Sequence, residues 1–218
     1  VAEIKYGVGV EPNCIYVIPP NALLEIFHGV LHLTPMPEPH AACRPVDTFF
    51  QSLAQDQGNL AIGVILSGTG SDGAHGLRDI KADGGITLVQ QPETAKFDGM
   101  PRSAIDAAVP DHVLPVDGIS RELTHIAQHP ITKQVILPED PTPTPDVERV
   151  LQKIFILVRS VTKIDFSTYK YPTVSRRIKR RMVLHRVDTL AHYLTYLQEN
   201  PNEVRALFED LLINVTDF

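Results

Sequence analysis

Asp72 lies in Gly68-Thr-Gly-Ser-Asp-Gly73, directly after the apolar run 60–66, and more than one chemistry suits a carboxylate in that setting. The six residues satisfy G-x-G-x-x-G, which between a strand and a helix suggests dinucleotide binding through backbone amides and the helix dipole. Two features weigh against it. The next strand ends in Val89-Gln-Gln91, where a ribose-binding acid is expected, and Asp72 puts negative charge where a pyrophosphate would lie. The second chemistry is orientation of a histidine. An ionised Asp held by backbone N–H groups at a helix start fixes the imidazole tautomer and stabilises the imidazolium formed when a serine loses its proton. Neither Ser67 nor Ser71 has the G-x-S-x-G context of a nucleophile elbow, because Ile65 and Thr69 occupy the first glycine position. His75, one turn beyond Asp72 on the same helix, is expected at its surface. In a third reading Asp72 is a helix cap and nothing else.

A second concentration of charge lies in 172–186. Val174, Ile178, Met182 and His185 fall within one arc of a helical wheel, while Arg176, Arg177, Lys179, Arg180, Arg181 and Arg186 spread over most of the remainder. Six cations on a few turns repel one another unless solvent or an acidic partner screens them. A solvated face, a nucleic-acid contact and a protein-docking surface all fit the charges alone. His28 and His32 share a predicted hairpin, but Gly29 and the absence of a carboxylate at ligand spacing argue against metal. Cys14 and Cys43 have no zinc-type spacing and read as buried thiols of a reducing compartment.

The elements that must position these residues follow from periodicity. The run 60–66 reads as a buried parallel strand, a helix from about Gly73 buries Leu77 and Ile80, and Ile86 to Val89 is the next strand, a βαβ unit. Before it come a ragged stretch interrupted by Gly7 and Gly9, as of a chain beginning within a domain, a strand 14–18, a hairpin around His28-Gly29, and a helix from Val46 that Gly58 ends. After it come a helix from Pro101 through Ala108, a strand at Val113-Leu114 and a closing helix 118–128. Four prolines in 138–145 predict extended chain. Beyond them the period is helical, and Asn200-Pro-Asn-Glu203 has the form of a capping box.

The predicted architecture is therefore α/β, a partial doubly wound, mostly parallel sheet, followed by a small all-α bundle, with boundaries 1–130, 131–146 and 147–218. Charge supports the division: residues 1–145 hold 8 Lys+Arg and 17 Asp+Glu, whereas residues 146–218 hold 12 and 9. No apolar run approaches the ~18 residues of a membrane span, and a cytoplasmic location is expected.

Four motifs in order, Tyr16-Val-Ile-Pro-Pro20, Val46-Asp-Thr-Phe-Phe-Gln-Ser-Leu-Ala54, Val64-Ile-Leu-Ser-Gly-Thr-Gly-Ser-Asp-Gly73 and Phe97-Asp-Gly-Met-Pro-Arg-Ser-Ala-Ile105, resemble the catalytic domain of the chemotaxis protein-glutamate methylesterase, the CheB type. The resemblance implies that Asp72 is the acid of a Ser-His-Asp triad, that Thr69 lies near the oxyanion hole, and that the esterase needs no cofactor. The triad's serine and histidine find no counterpart in the chain, so the isolated 218 residues are expected to be inactive. Ile164-Asp-Phe-Ser-Thr-Tyr-Lys170, Arg176-Arg-Ile-Lys-Arg-Arg-Met182 and Leu211-Leu-Ile-Asn-Val-Thr-Asp-Phe218 are similar to the helical amino-terminal domain of the chemotaxis receptor methyltransferase, the CheR type. That similarity implies that Thr216 lies near S-adenosylmethionine in a full methyltransferase, and no such binding is expected of these residues alone. It also makes the methylation helices of a chemoreceptor the expected partner of Arg176, Arg177, Lys179, Arg180, Arg181 and Arg186. A nucleotide-binding α/β module and a basic-helix interaction module for nucleic acid or protein are the alternatives.

Overall fold

A strand can be apolar on both faces only where helices cover both, and β7 (Ile86–Gln90) is buried along its whole length. In the computed structural model, which describes residues 2–4, 7–38, 43–134, 144–167 and 169–212, it lies between β6 (Ile62–Ile65) and β8 (His112–Leu114) in a parallel sheet. Ile62 pairs with Ile86, Ile65 with Val89, and Leu88 with His112. The two polar residues of β7 are satisfied inside the fold. Thr87 exchanges hydrogen bonds with Asp111, and Gln90 accepts from the Ser67 amide while donating to the Thr94 carbonyl.

Helices α1 (Pro45–Gln57), α2 (Ala74–Ala82) and α3 (Gly99–Ala108) pack Phe50, Ala54, Leu77, Ile80, Ala104 and Ala108 against Ile65 and Val89 as one core. Gly76 lets α1 and α2 approach closely, since a Cβ there would stand 2.6 Å from the Phe50 Cβ and 2.9 Å from the Asp47 carbonyl oxygen. Val109 ends α3 in the left-handed region, at φ 45° and ψ 68°, with its side chain 68% exposed. A β-branched residue there is strained by roughly 1–2 kcal/mol. Val109→Gly removes that strain and no packing, although glycine loosens the unfolded chain; the net expectation is a gain of about 1 kcal/mol, read as a higher urea midpoint at unchanged m-value.

At the amino-terminal side, β4 (Ala22–Phe27) and β5 (Val30–Pro35) form the expected hairpin, turning through His28 and Gly29 at φ 50° and 72°. The Asp56 carboxylate accepts from both turn amides. The predicted strand 14–18 is shorter, Tyr16–Val17 (β3), and runs parallel to β1 (Ala2–Glu3). The stretch with Gly7 and Gly9 is not ragged: β2 (Val8–Gly9) extends the hairpin sheet, in the order β2-β5-β4. Cys14 is exposed and Cys43 half-buried, contrary to the expectation of two buried thiols.

The chain divides into two units, Val1–Arg121 and Glu122–Phe218, the boundary falling within α4 (Val116–Gln128). In the second unit α5 (Pro130–Gln134) occupies the start of the predicted linker, residues 135–143 lie outside the described residues, and α6 (Pro145–Thr162) begins at Pro145. Helices α7 (Tyr171–Leu184), α8 (Leu190–Glu199) and α9 (Pro201–Leu212) complete it. Its core holds Ile154, Val158, Phe166, Ile178, Tyr193, Leu197 and Leu207, all at most 2% exposed. The expected α/β architecture followed by helices is the one observed. Among the described residues no helix is long and apolar enough to cross a membrane.

Candidate functional site

The start of a helix leaves amide N–H groups without intrahelical partners, and two such starts meet beside the glycine turn. Asp72 precedes α2 but serves α1: its carboxylate accepts from the Val46 amide at 3.1 Å and the Asp47 amide at 3.0 Å. Asp47, in the first turn of α1, accepts from the Gly76 amide of α2 at 2.7 Å. Each helix thus carries the carboxylate that caps the other, and the N-cap of α2 is Gly73, without a side-chain bond of its own. Arg44 ties the pair together, meeting Asp47 at 2.5 Å and donating to the Ser71 carbonyl at 2.5 Å. A pyrophosphate at the start of α2 would face both Asp47 and Asp72, which counts against the dinucleotide alternative.

Residues 97–103 form the other wall. The Phe97 amide donates to the Ser67 hydroxyl, the Gly68 amide to the Phe97 carbonyl, and the Met100 amide to the Gly68 carbonyl. The Ser103 hydroxyl donates to the Gly70 carbonyl at 3.3 Å. At Gly68 a Cβ would stand 2.3 Å from the Met100 sulfur, so a larger residue there must displace that side chain. Two motifs separated by thirty residues of sequence are thereby joined into one exposed loop pair at the carboxyl end of β6, where open α/β sheets place ligands. Thr69 is exposed on its crest, and Ser67 is engaged with the Phe97 amide. His75 is exposed on α2, and among the described residues no histidine is hydrogen-bonded or ion-paired to Asp72.

The sequence singled out Asp72, Thr69, Ser67 and Ser71, but assigned no role to Arg44, Asp47 or Ser103. The available signal was Asp47 in the first turn of a predicted helix, the position where a carboxylate favours the dipole.

In the second unit the six cations do not occupy an outward arc. Arg177 and Arg180 are 3% and 4% exposed, inside the bundle. Arg180 meets the Asp210 carboxylate at 2.5 Å, and Arg181 makes a bidentate pair with Glu203 while reaching Asp210 at 3.7 Å. Glu203 also accepts from the Tyr193 hydroxyl at 2.7 Å and lies 2.7 Å from His185 Nε2, whose Nδ1 is 3.2 Å from the Tyr196 hydroxyl. Glu203 therefore forms no capping box. It and Asp210, seven residues apart on α9, turn inward and draw α7 cations with them. Burial alone would raise the Glu203 carboxyl, but hydrogen bonds from His185, Arg181 and Tyr193 and the Arg181 charge hold it at about 2. Burial and the Glu203 charge raise the Tyr193 hydroxyl well above its usual range. Arg176 and Lys179 are half-buried, and Arg186 lies 3.2 Å from Glu122.

Thr216 lies outside the described residues. The described part of the second unit is helical throughout. Among the described residues no three His, Cys, Asp or Glu side chains are grouped as metal ligands.

Residues 1–123 match the family model of the CheB methylesterase, and residues 149–212 that of the CheR methyltransferase all-alpha domain. The protein-glutamate methylesterase/protein-glutamine glutaminase 2 of Anaeromyxobacter dehalogenans (strain 2CP-C) is 37% identical over 135 residues, which are 59% of this chain and 38% of that protein. A putative enzyme with the same pair of activities in its name, from Leptospira interrogans serogroup Icterohaemorrhagiae serovar copenhageni (strain Fiocruz L1-130), is 38% identical over 58% of this chain and 63% of its own. An uncharacterized 104.1 kDa protein of Rhodobacter capsulatus is 33% identical across 100% of this chain, which is 25% of its length. The crystal structure of the Thermotoga maritima CheB methylesterase catalytic domain resembles the chain with a TM-score of 0.50 and 31% identity, over 56% of this chain and 67% of that one. The chain spans from a quarter to under two thirds of the length of these curated relatives.

Proposed function

Since the chain belongs to the CheB methylesterase family and joins a CheR all-alpha domain to it, we propose that it takes part in removing and adding methyl groups on chemoreceptor glutamates. What supports the esterase half is the Asp72 carboxylate, held by two amides at 3.0 and 3.1 Å beside an exposed loop pair at the end of a parallel strand. In this reading Asp72 receives the Nδ1–H of a histidine and fixes its tautomer. The histidine takes the proton of a serine, the serine oxygen attacks the ester carbonyl, and methanol leaves with that proton. Water then releases the glutamate by the same steps. In the same reading Thr69, exposed on the glycine turn, lies near the oxyanion hole. An amide substrate would lose ammonia in the same way, in keeping with the glutaminase in the relatives' names.

Because no histidine engages Asp72 among the described residues, the purified 218-residue chain is expected to release no methanol from methylated receptor. Release above the rate without protein, followed by gas chromatography, would show that the chain assembles its own triad.

The helical unit is the docking part in this proposal. With Arg177, Arg180 and Arg181 committed to the interior, the contact falls to Arg176, Lys179 and Arg186, at positions i, i+3 and i+10 along one stripe of α7 and its end. The partner is a glutamate-rich receptor helix in the cytoplasm. Nucleic acid is the alternative, and it fits less well now that half of the cations are internal. No step is assigned to S-adenosylmethionine.

A further inference from the structure

Residues 122–134 lie outside the CheR all-alpha match at 149–212, yet they pack within the same helical unit and onto α7. Two contacts reach from them to the end of α7 and the turn after it, and a third shapes their own turn. Glu122 of α4 pairs with Arg186 just beyond α7 at 3.2 Å. His129, its side chain 2% exposed, places Nε2 3.5 Å from the Asp188 carboxylate. Its Nδ1 accepts from the Ile131 amide at 3.3 Å, closing the turn from α4 into α5. Burial, opposed by the Asp188 charge and aided by that of His125, lowers the His129 imidazole below its ordinary range, so it favours the neutral form whose Nδ1 can accept.

The seat beneath this segment is apolar. Ile126 is 2% and Ile131 8% exposed, and Ile131 lines, with Tyr171, Ile178, Met182 and Leu190, a half-open groove of about 250 Å³. The groove is open on one side, so a second helix could reach its remaining apolar wall only beside or in place of Ile131. Lys179 lies on the rim of the same groove, and Arg186 is engaged by Glu122, so two of the three cations assigned above to docking border or contact the segment.

We propose that residues 122–134 are an intramolecular clasp, a mostly apolar segment that brings one carboxylate, Glu122, to Arg186, borders the α7 groove in place of an acidic amphipathic receptor helix and weakens docking until it is displaced. This rests on the docking reading of the helical unit. The two occupants match in kind: each offers a carboxylate to Arg186 and apolar side chains to the groove.

The test uses the full chain and a soluble cytoplasmic fragment of a chemoreceptor, with binding followed by isothermal titration. Opening the clasp with Glu122→Gln together with Ile131→Ser is expected to raise affinity by about tenfold, the coupling free energy of a modest intramolecular competitor. Glu122→Gln alone, which keeps the apolar seat, is expected to move affinity the same way by a smaller factor, and it guards against misfolding of the double variant. Amide hydrogen exchange across 129–134 reports opening directly. Faster exchange with unchanged or weaker affinity would overturn the clasp. In the opened chain, Arg176→Glu with Lys179→Glu separates the two ideas. If those reversals abolish binding while opening leaves it unchanged, docking stands and the clasp falls. If binding ignores them, or no variant binds, the docking reading falls and the clasp with it.

Discussion

Asp72→Asn is expected to lower methanol release by about 10⁴ when residues 1–121 are grafted into an active member of the family, replacing the matching part of its catalytic domain. The asparagine keeps the shape but presents one acceptor and one NH₂ where the carboxylate presents two acceptors. Either the histidine's Nδ1–H or one amide of α1 must then face a donor. The same change has a structural effect, because Asp72 caps α1 through the Val46 and Asp47 amides. Loss of a cap costs about 1–2 kcal/mol, which shifts the melting temperature but leaves the folded fraction near unity. The two effects separate when turnover and melting are measured on one preparation. A rate that falls only with the unfolded fraction would make Asp72 a cap and nothing more. Asp47→Asn is the control: it disturbs the reciprocal cap at Gly76 and the pair with Arg44, and is expected to shift melting while most of the turnover remains.

Glu203→Gln in the helical unit should destabilise it by about 3–5 kcal/mol, the usual consequence of removing one partner from a buried ion pair. Glu203 is 5% exposed and takes hydrogen bonds from Arg181 and Tyr193 as well as the contact with His185, so the amide leaves the Arg181 charge without its principal counterion. The native side chain carries a matching dependence on pH. Its folded pKa, about 2, lies below the ordinary 4.5, so the unfolded state binds more protons between those values. The stabilisation is complete above about pH 4.5 and is lost as pH falls towards 2. Circular dichroism of the wild type in urea should show that loss, and Glu203→Gln should remove much of the slope. A variant as stable as wild type at neutral pH would mean that the network contributes no net stability.

The sequence by itself determined the local elements of this protein. The run 60–66, the glycines and the apolar spacing of Leu77 and Ile80 were enough for strand, turn, helix and strand, because backbone sterics and burial period are local properties. The glycine turn and the basic segment could be singled out on the same grounds, and four quoted motifs were enough for the family. Which helix a side chain serves is different, since it depends on what lies across from it. Asp72 precedes α2 and caps α1, Asp47 begins α1 and caps α2, and no spacing along the chain contains that exchange. A helical wheel places Arg177, Arg180 and Arg181 outside because it sees cations without their partners. Glu203 and Asp210 come from an element more than twenty residues later, and only folding brings them within reach. Burying a charge is unfavourable until its counterion arrives, and that arrival is a tertiary event.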